Sequence, residues 1–548
     1  MAQSSPEVGA EGRDTPVLAG VGVERFSTHR GMNHRAWLAV LVVVALLGVI
    51  SRAAPLLDLD GRLFRQWPSE DGYLMLTIAR NLAIGKGVTV NDGEMQTNGT
   101  QPLSTLVFAA VFAAVDGDRH DGVVGVYLWQ IATGLLAAAA LYALIAVCLA
   151  ARSDVHGIAA TTAALWFAGP SFVPHLMNGQ ETSTYLLSVL LSILLWVRGL
   201  ASSRFGRGRA LGVGAILGIT FWVRNDAVFL VAAIVSCHVI LALGSGRAAV
   251  RQRLVDSIVM AAASAAIATP WLVYNVIEFG SPIPTSGLSQ STAASLVTNV
   301  ALMPYIALQY LTVLAPIPHE MSRHAGGQLL LGLALVACIP LLLRVLREVD
   351  RIARPLVAVV VVYSALLVVF YGAFFGAPYF LVRYMMPISP FAVLLTVIGL
   401  SDAWRAFAES ASRLGRATAA TVASALLVAL LARSHYGFYA RGPAHMHWQV
   451  IEWVRQNVRD DTWVGAIQSG TLGFFHDRTI NLDGKVNADA LRARLSGRTA
   501  QYVAESPIEC LVDWTGIATW NDAGPLRHEF ELIVLDTERN LAVLKRVH

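Results

Sequence analysis

Two adjacent acids, Glu70 and Asp71, follow the first long apolar run of the chain, which covers residues 36–57. A carboxylate at the edge of a membrane loses part of its hydration, and such a group can act as a general base. The same two acids also suit the N-terminus of a short helix that begins near Tyr73, because acids are favoured there. These residues alone leave a catalytic role and a capping role open.

Further charged residues stand where the apolar runs end. Glu181 lies in a short turn, Arg224 and Asp226 form the tip of an apolar hairpin, and Arg383 precedes Tyr384. Charges at membrane depth are costly and by default mark a substrate or ion pathway. A helix cap would equally explain Glu181, and an ion pair would explain Arg224 with Asp226. Arg383 could serve as an interfacial anchor.

The composition places these residues in a membrane protein. Of the 548 residues, 55% are hydrophobic and only 14% are charged, and the mean hydropathy is +0.56. A soluble domain carries about 25% charged residues, so much of this surface is predicted to face lipid. The net charge of +4 is small, and the basic residues gather in short loops. This pattern argues against nucleic acid as a partner, which would require a basic stripe with interleaved aromatic residues.

Three arginine clusters predict the orientation of the chain, because short cytoplasmic loops collect Lys and Arg. The clusters are Arg198, Arg204, Arg207 and Arg209; Arg247, Arg251 and Arg253; and Arg344, Arg347, Arg351 and Arg354. Placing all three in the cytoplasm gives about eleven membrane helices, a cytoplasmic N-terminus and an external C-terminus. The chain is therefore predicted to be a multi-pass protein of the cell (inner) membrane.

The predicted fold class is a polytopic α-helical membrane protein with a small C-terminal α/β domain. Residues 1–35 are polar and are predicted to form a disordered cytoplasmic leader. Residues 36–435 are predicted to form the transmembrane module, with long external loops over 58–122 and 276–324. Residues 440–548 are predicted to form a water-soluble extracytoplasmic domain.

Several local features add detail to this organisation. The apolar run 103–115 is too short to span and is predicted to lie as a helix along the membrane surface. In the tail, 530–535 and 541–544 are predicted to be strands. Cys510 is the only cysteine of the tail, so no disulfide can form within it. The histidines near the external side have no metal-ligand spacing; these are His120, His175, His319 and His324.

The first external loop resembles the signature region of the GT-C superfamily, the integral-membrane glycosyltransferases that use polyprenyl-phosphate sugars. Protein O-mannosyltransferases, lipid A aminoarabinose transferases and actinobacterial arabinosyltransferases are among its members. The resemblance rests on an acidic pair, a Tyr, an Ala-Arg-Asn-Leu run, a Gly-x-Gly, and a Thr-Asn-Gly that leads into Pro-Leu. In this chain they are Glu70-Asp71, Tyr73, Ala79 to Leu82, Gly85 with Gly87, Thr97 to Gly99, and Pro102-Leu103.

Five further motifs follow in the family's order along most of the chain. They are Gly179-Gln180-Glu181-Thr182, Arg224-Asn225-Asp226, Asn275 with Phe279 to Gly287, Arg383-Tyr384 with Pro387 and Pro390, and Leu482-Asp483-Gly484 with Asn487. The chain also departs from the family pattern. Glu70 stands where Asp is common, Gln101 where His is frequent, Asn225 in place of Pro, and Lys485 in place of an apolar residue. The first departure leaves open which acid is the base.

The resemblance implies a transferase that moves a hexosyl or pentosyl group from a polyprenyl-phosphate donor, with inversion of the anomeric carbon. The acceptor would be a cell-envelope glycan, a lipid or a protein. Asp71 or Glu70 would be the catalytic base, and Arg383, with Arg224 as second choice, would bind the lipid phosphate. The other expected substrate-binding residues are Glu181, Asp226, Tyr384, Asn98, Gln101, Arg80 and Lys485.

The same resemblance leaves the cofactor open. No metal-ligand cluster is expected from the sequence, although some members of the superfamily use a divalent cation and others do not. Membrane lipids are expected partners in addition to the donor and the acceptor.

Two other functions are compatible with the composition. A secondary transporter or carrier-lipid flippase also has many spans, but transporters tend to show inverted repeats and broken helices near the midplane. Here the polar candidates cluster at external helix ends, and no repeat is visible. A noncatalytic protein that binds carrier lipid or scaffolds an envelope complex is the other alternative, and the acidic pair argues against it.

Overall fold

The computed structural model describes residues 34–201, 205–291, 294–314, 316–347, 353–441 and 447–547. Most of the predicted leader lies outside the described residues, and so do Arg204 and Arg351 of the arginine clusters. The described residues are mostly helical, and they form one small sheet near the C-terminus.

The N-terminal four fifths of the chain form a module of α-helices. In chain order they are α1 His34–Ala53, α2 Arg62–Arg65, α3 Glu70–Ala83, α4 Pro102–Ala113, α5 Arg119–Cys148, α6 Val155–Ala168, α7 Val173–Leu176, α8 Thr182–Ala201, α9 Arg207–Val223, α10 Val228–Ile240, α11 Arg247–Phe279, α12 Thr285–Ser291, α13 Leu296–Leu311, α14 Ala325–Ala337, α15 Ile339–Arg347, α16 Arg354–Phe374, α17 Leu381–Tyr384, α18 Ser389–Ser410 and α19 Arg413–Ala440.

Eight helical segments of the described residues are long and apolar enough to cross a membrane, or nine if the bent pair α12 and α13 is one span. These eight coincide with eight of the eleven spans predicted from sequence. The other three are the shorter helices α6, α9 and α10, with 14, 17 and 13 residues. At 1.5 Å per residue they are about 20–26 Å long, against roughly 30 Å for a hydrocarbon core. The polytopic helical class is confirmed, and the described residues contain fewer full-length spans than the eleven predicted.

The core of the module is one continuous cluster of buried apolar side chains. In it α5 packs against α6 and α8, α9 lies along α11, and α10 packs on α16. Helix α13 also contributes to it through Tyr305, Ile306 and Leu308 and contacts α16 and α18. The segment predicted as the external loop 276–324 thus contains a helix that packs into the core.

The first long loop folds into α3 and α4, which pack against each other, and α4 also contacts α5 and α9. Helix α4 has 12 residues, too few to span a membrane, as the apolar run 103–115 predicted. Its position at the membrane surface remains a prediction. Together with Tyr73 and Phe112, Phe474 of the tail is buried in a cluster of its own, so the tail packs directly on this loop.

The tail is a small α/β unit, as predicted. Its helices are α20 Trp448–Asn457, α21 Gly470–Phe475, α22 Ala488–Leu495, α23 Thr499–Glu505 and α24 Leu526–Glu529, and its strands are β1 Val464–Ala466, β2 Thr479–Asn481, β3 Cys510–Asp513, β4 Phe530–Asp536 and β5 Leu541–Arg546. The sheet has the order β2-β1-β3-β5-β4, with parallel pairs β1–β2 and β1–β3 and antiparallel pairs β3–β5 and β4–β5. Leu511 packs on one face of β3 and Cys510 with Val512 on the other. Both faces are therefore covered, which explains the uninterrupted apolar run in this strand.

Candidate active site

Helix α3 begins directly at the acidic pair. Its N-cap is Ser69, whose hydroxyl accepts a hydrogen bond from the Gly72 N–H at 3.1 Å. Glu70 and Asp71 are the first two residues of the helix, where negative charge is favourable. Because the Ser69 hydroxyl makes the cap, both carboxylates are available for contacts with other parts of the chain.

The Asp71 carboxylate lies between two cations from distant parts of the sequence. Arg383, on α17, donates to Asp71 Oδ2 from Nη1 at 3.3 Å and from Nη2 at 3.2 Å. Lys485, in the tail, donates to Asp71 Oδ1 at 3.2 Å, and its ammonium nitrogen is 3.4 Å from Asp483 Oδ2. The side chains of Asp71 and Lys485 are each only 16% exposed. These four residues, two carboxylates and two cations, are called the Asp71 cluster below.

The electrostatics of the Asp71 cluster favour the ionised forms of Asp71 and Lys485. Burial raises the pKa of Asp71, but attraction by Lys485 and Arg383, with their hydrogen bonds, outweighs burial and holds that pKa below its ordinary value. Burial lowers the pKa of Lys485, but the carboxylates of Asp71 and Asp483 raise it overall. At neutral pH an incoming anion would therefore meet the cations of Arg383 and Lys485, which are paired with the Asp71 carboxylate.

The turn between α7 and α8 holds Arg383 in place. Arg383 Nη1 donates a short hydrogen bond to Oε1 of Gln180 in this turn. The start of α3 approaches the same turn closely, since a Cβ on Gly72 would lie 2.0 Å from the carbonyl oxygen of Asn178. A side chain at position 72 would push α3 away and separate Asp71 from Arg383.

Glu70 faces the tail instead of the Asp71 cluster. Its carboxylate accepts hydrogen bonds from the backbone N–H groups of Gly470 and Thr471 at the start of α21, and from the Thr471 hydroxyl at 2.5 Å. A Cβ on Gly470 would lie 2.0 Å from the Glu70 carbonyl oxygen, so only glycine permits this approach. The two neighbouring acids therefore have different partners: Glu70 contacts the start of α21, and Asp71 contacts Arg383 and Lys485.

A second charged group in the membrane module surrounds Arg224. Arg224 Nη2 lies 2.9 Å from Asp226 Oδ2 and 3.2 Å from the Tyr371 hydroxyl, and Arg224 Nε lies 3.7 Å from Glu181. The Tyr371 hydroxyl donates to Asp226 Oδ2 at 2.5 Å. The ring of Tyr384 lies 4.5 Å from the guanidinium carbon of Arg224 and 5.0 Å from the guanidinium carbon of Arg383. One aromatic ring thus separates the two charged groups.

Asn98 is linked to the backbone of Lys485 in the Asp71 cluster through Thr285. Its Nδ2 donates to Asn275 at 3.1 Å, and its Oδ1 accepts from the Thr285 N–H at 3.0 Å. The Thr285 hydroxyl in turn donates to the carbonyl oxygen of Lys485 at 3.0 Å. Gln101 stands at the N-cap position of α4 without a side-chain cap, and among the described residues its buried Oε1 has no hydrogen-bond partner.

Arg80 lies far from the Asp71 cluster. It is nine residues further along α3, or about 13.5 Å of helix. Its Nη1 is 3.9 Å from Asp477 of the tail, which also pairs with Lys86 at 2.8 Å and Arg119 at 2.7 Å. Arg80 therefore belongs to a group of charges that ties the first loop to the tail.

Sequence reasoning missed three residues of these contacts, Gln180, Tyr371 and Thr471. Gln180 lies in the motif that pointed to Glu181, so the signal was present one residue away. Tyr371 ends an apolar run, where a tyrosine is ordinarily an interfacial aromatic residue. Thr471 carries no motif, and its contact with Glu70 arises only because the tail folds back onto α3.

The chemistry of the Asp71 cluster suits an anion better than a metal ion, because both carboxylate oxygens of Asp71 already face cationic nitrogens. Within the described ranges, one group of three potential metal ligands occurs, consisting of the exposed residues Asp118, His120 and Asp121. Their contacts have local explanations, since Asp118 caps α5 and His120 pairs with Asp121 at 2.9 Å. We therefore assign no metal ion to the Asp71 cluster or to the group of Asp118, His120 and Asp121.

Comparison with solved structures places this arrangement in a known fold. The chain is similar to ArnT from Cupriavidus metallidurans bound to undecaprenyl phosphate, with a TM-score of 0.58, 13% identity, and coverage of 94% of this chain and 99% of that one. It is also similar to the Archaeoglobus fulgidus oligosaccharyltransferase in complex with Zn and sulfate, with a TM-score of 0.55, 14% identity, and coverage of 90% and 71%. Comparison with protein-family models and with curated proteins finds no match.

These similarities define the class of the protein at the level of fold. The chain shares the fold of ArnT and of the archaeal oligosaccharyltransferase, and it is a multi-pass membrane protein. The resemblance found in the sequence motifs is thus confirmed at that level. Identities of 13–14% support the shared fold and do not identify the donor sugar or the acceptor.

Proposed function

We propose that this protein is a glycosyltransferase that moves a sugar from a polyprenyl-phosphate donor to a hydroxyl group on the extracytoplasmic side. The main support is the Asp71 carboxylate, enclosed between Arg383 of the membrane module and Lys485 of the tail. A base beside two cations suits the reaction, in which one group takes a proton and others stabilise an anion. The undecaprenyl phosphate bound to ArnT, which shares the fold, supports the donor class.

In the proposed reaction the acceptor hydroxyl attacks the anomeric carbon, and its proton passes to a carboxylate oxygen of Asp71. The bond between the anomeric carbon and the phosphate oxygen breaks, and its electron pair leaves with the lipid phosphate. This product is a stable anion, so the step does not need a strong general acid. Arg383 and Lys485 hold the phosphate by charge-assisted hydrogen bonds. Attack opposite the leaving group inverts the anomeric centre.

Donor binding would also prepare the base. In the structure, Arg383 and Lys485 are both paired with Asp71. A donor phosphate competes for both cations, and a buried carboxylate that loses cationic neighbours has a higher pKa. Asp71 therefore becomes a stronger base only when the donor is in place.

The two acids of the pair have different roles in this proposal. Asp71 is the base because it alone of the two faces the cations, whereas Glu70 positions the tail through α21. The cluster would lie at the external face of the cell (inner) membrane, and residues 440–548 would form an extracytoplasmic domain that supplies Lys485. The acceptor would be an envelope glycan, a lipid or a protein.

The proposal is tested by sugar transfer from a panel of polyprenyl-phosphate donors, with the protein purified in membrane lipids. Replacement of the base, Asp71→Asn, is expected to lower the transfer rate by a factor of about 10²–10⁴, the usual contribution of a general base. Donor binding should survive, because both cations remain. Asp121→Asn, an exposed acid outside the cluster, is the matched control and should transfer normally.

Two results would contradict the proposal. Normal transfer by Asp71→Asn would remove the assigned base. The wild type could also fail to bind or consume any donor and yet move a solute or lipid across the membrane of proteoliposomes. The protein would then be a transporter and not a transferase.

A further inference from the structure

The tip between α9 and α10 holds three buried polar atoms that have no hydrogen-bond partner among the described residues. They are Arg224 Nη1, Asn225 Oδ1 and Asp226 Oδ1. Such atoms are costly, so native proteins contain few of them, and those that persist need an explanation such as a role in function. Here one donor and two acceptors occur on three consecutive residues at the end of a helix.

The charge around Arg224 makes this tip unsuitable for a phosphate. Arg224 is already balanced by Asp226 at 2.9 Å and faces Glu181 at 3.7 Å. An anion placed beside it would meet two carboxylates, which would repel it. The Asp71 cluster carries as many cations as carboxylates, so it is the better seat for the donor phosphate.

The hydrogen-bonding pattern of the tip matches a sugar instead. Each sugar hydroxyl both donates and accepts, so neighbouring hydroxyls can serve Asn225 and Asp226 as donors and Arg224 as an acceptor. Aromatic rings surround the group, with Tyr185 and Tyr384 at 5.0 Å and 4.5 Å from the Arg224 guanidinium carbon. Aromatic side chains offer apolar surface for the C–H faces of a sugar ring.

We infer that residues 224–226, with Tyr371, form the seat of the donor's sugar ring and that this seat takes a neutral sugar through neighbouring free hydroxyls. The inference rests on the proposed function, because it assigns a subsite of the same donor. Tyr384 lies between this seat and the Asp71 cluster, within 5.0 Å of the guanidinium carbon on either side. The two groups are therefore close enough for one sugar–phosphate unit to contact both.

A consequence for specificity follows from the two carboxylates beside Arg224, which are Asp226 in the seat and Glu181 next to it. A donor whose sugar carries its own carboxylate, such as a uronic acid, would place like charges together at Asp226 and Glu181. Binding of that donor is expected to be weaker than binding of the corresponding neutral donor. Bare polyprenyl phosphate has no sugar, so the two carboxylates should not affect its binding in this way.

The test uses Asn225→Ala, which removes an unsatisfied buried oxygen without touching the Arg224–Asp226 pair. Wild type and variant are compared for binding of a neutral polyprenyl-phosphate sugar, of the same donor lacking one hydroxyl at a time, and of bare polyprenyl phosphate. The variant should bind the complete donor about two- to tenfold more weakly, the usual effect of one neutral hydrogen bond. It should bind bare polyprenyl phosphate normally, and its defect should vanish for one particular deoxy donor. Its thermal stability should not decrease.

A matched control separates this role from a structural one. Asn91 is buried in the first loop, and its Oδ1 is engaged by the Thr89 hydroxyl at 2.7 Å and the Met95 N–H at 3.2 Å. Asn91→Ala should therefore lower the melting temperature and leave the ratio of donor affinities unchanged. Tyr371→Phe, which removes one hydroxyl of the seat, should lower the affinity for the complete donor but not for bare polyprenyl phosphate.

The inference is overturned if Asn225→Ala and Tyr371→Phe weaken bare polyprenyl phosphate as much as the complete donor, or if neither changes donor binding. A wild type that binds no polyprenyl-phosphate sugar at all would instead refute the proposed function, and the sugar seat with it. Equal affinity for neutral and uronic acid donors would refute the charge argument for the seat.

Discussion

At the scale of single residues, adjacent side chains in the sequence have separate tasks in the structure. Glu70 and Asp71 are neighbours, yet one contacts the backbone of α21 and the other contacts Arg383 and Lys485. The reason is geometric, because successive residues of a helix point about 100° apart. The cations reach Asp71 from 312 and 414 residues away.

The pH dependence of catalysis should report the pairing of Asp71. Because Lys485 and Arg383 hold its pKa below the ordinary value, the carboxylate is ionised in the free protein, and activity is lost only as pH falls through that low pKa. The donor kcat/KM of the wild type should thus show no acid limb from this group above about pH 5. In Lys485→Met the main lowering influence is absent while burial remains, so the pKa of Asp71 should rise and the acid limb should move to higher pH than in the wild type.

The conservative variant Lys485→Arg is the control for this profile. It keeps a cation beside Asp71, so its acid limb should stay low even if its rate differs from that of the wild type. The assignment fails if the limbs of Lys485→Met and wild type coincide while both proteins remain active.

At the scale of elements, the start of α3 and the start of α21 form a joint between the membrane module and the tail. Glu70 supplies a carboxylate to two backbone N–H groups and one hydroxyl of α21, an arrangement that the positive end of a helix favours. The buried ring of Phe474 on α21 packs with Tyr73 of α3. Since Lys485 belongs to the tail, this joint determines whether the Asp71 cluster is complete.

Variants on the two sides of the joint should behave as one unit. Glu70→Gln and Thr471→Val are each expected to lower the melting temperature and kcat, and the double variant should cost less than the sum of the two. The coupling energy should be about 1.5–3 kcal/mol, as for a hydrogen bond to a charged group. Thermal unfolding and transfer rates of the single and double variants measure it.

An opposite result would change the assignment of the base. If Glu70→Gln abolished transfer by a docked and stable protein while Asp71→Asn remained active, Glu70 would be the proton acceptor. Strictly additive effects of Glu70→Gln and Thr471→Val would show that the two side chains act independently.

At the scale of the whole molecule, three segments predicted to be external meet one another. The first loop contacts the second through Asn98 and Thr285, the second contacts the tail through Thr285 and Lys485, and the tail contacts α3. Near the C-terminal ends of α5 and α18, Arg152 and Arg405 pair with the buried Asp154. The arginine-based topology is thus consistent with which loops contact each other, although the side of the membrane remains a prediction.

Cysteine labelling in intact cells tests that orientation. The exposed residues Glu94, Glu538 and Arg207 are replaced one at a time by cysteine and treated with an impermeant maleimide. Glu94→Cys and Glu538→Cys should react from outside, and Arg207→Cys should react only after permeabilisation. Wild-type protein is the control, since three of its four cysteines are buried. Reaction of Arg207→Cys in intact cells would invert the topology.

The sequence by itself determined the properties that depend on composition and local pattern. The low charge content predicted a membrane protein, the apolar runs predicted all eight full-length spans, and the motifs pointed to Asp71, Arg383 and Lys485 before any contact among them was known. The predictions of a membrane protein and of its spans are confirmed because helix length and lipid exposure are encoded over short stretches of chain.

Only the tertiary structure decided which residues meet. It directed Glu70 to the tail and Asp71 to the cations, moved Arg80 into a separate contact with Asp477, and packed α13 into the core. It also brought Tyr371 beside Arg224. Each of these outcomes joins residues more than 70 positions apart, and such pairings depend on how helices pack, which no local periodicity of the sequence specifies.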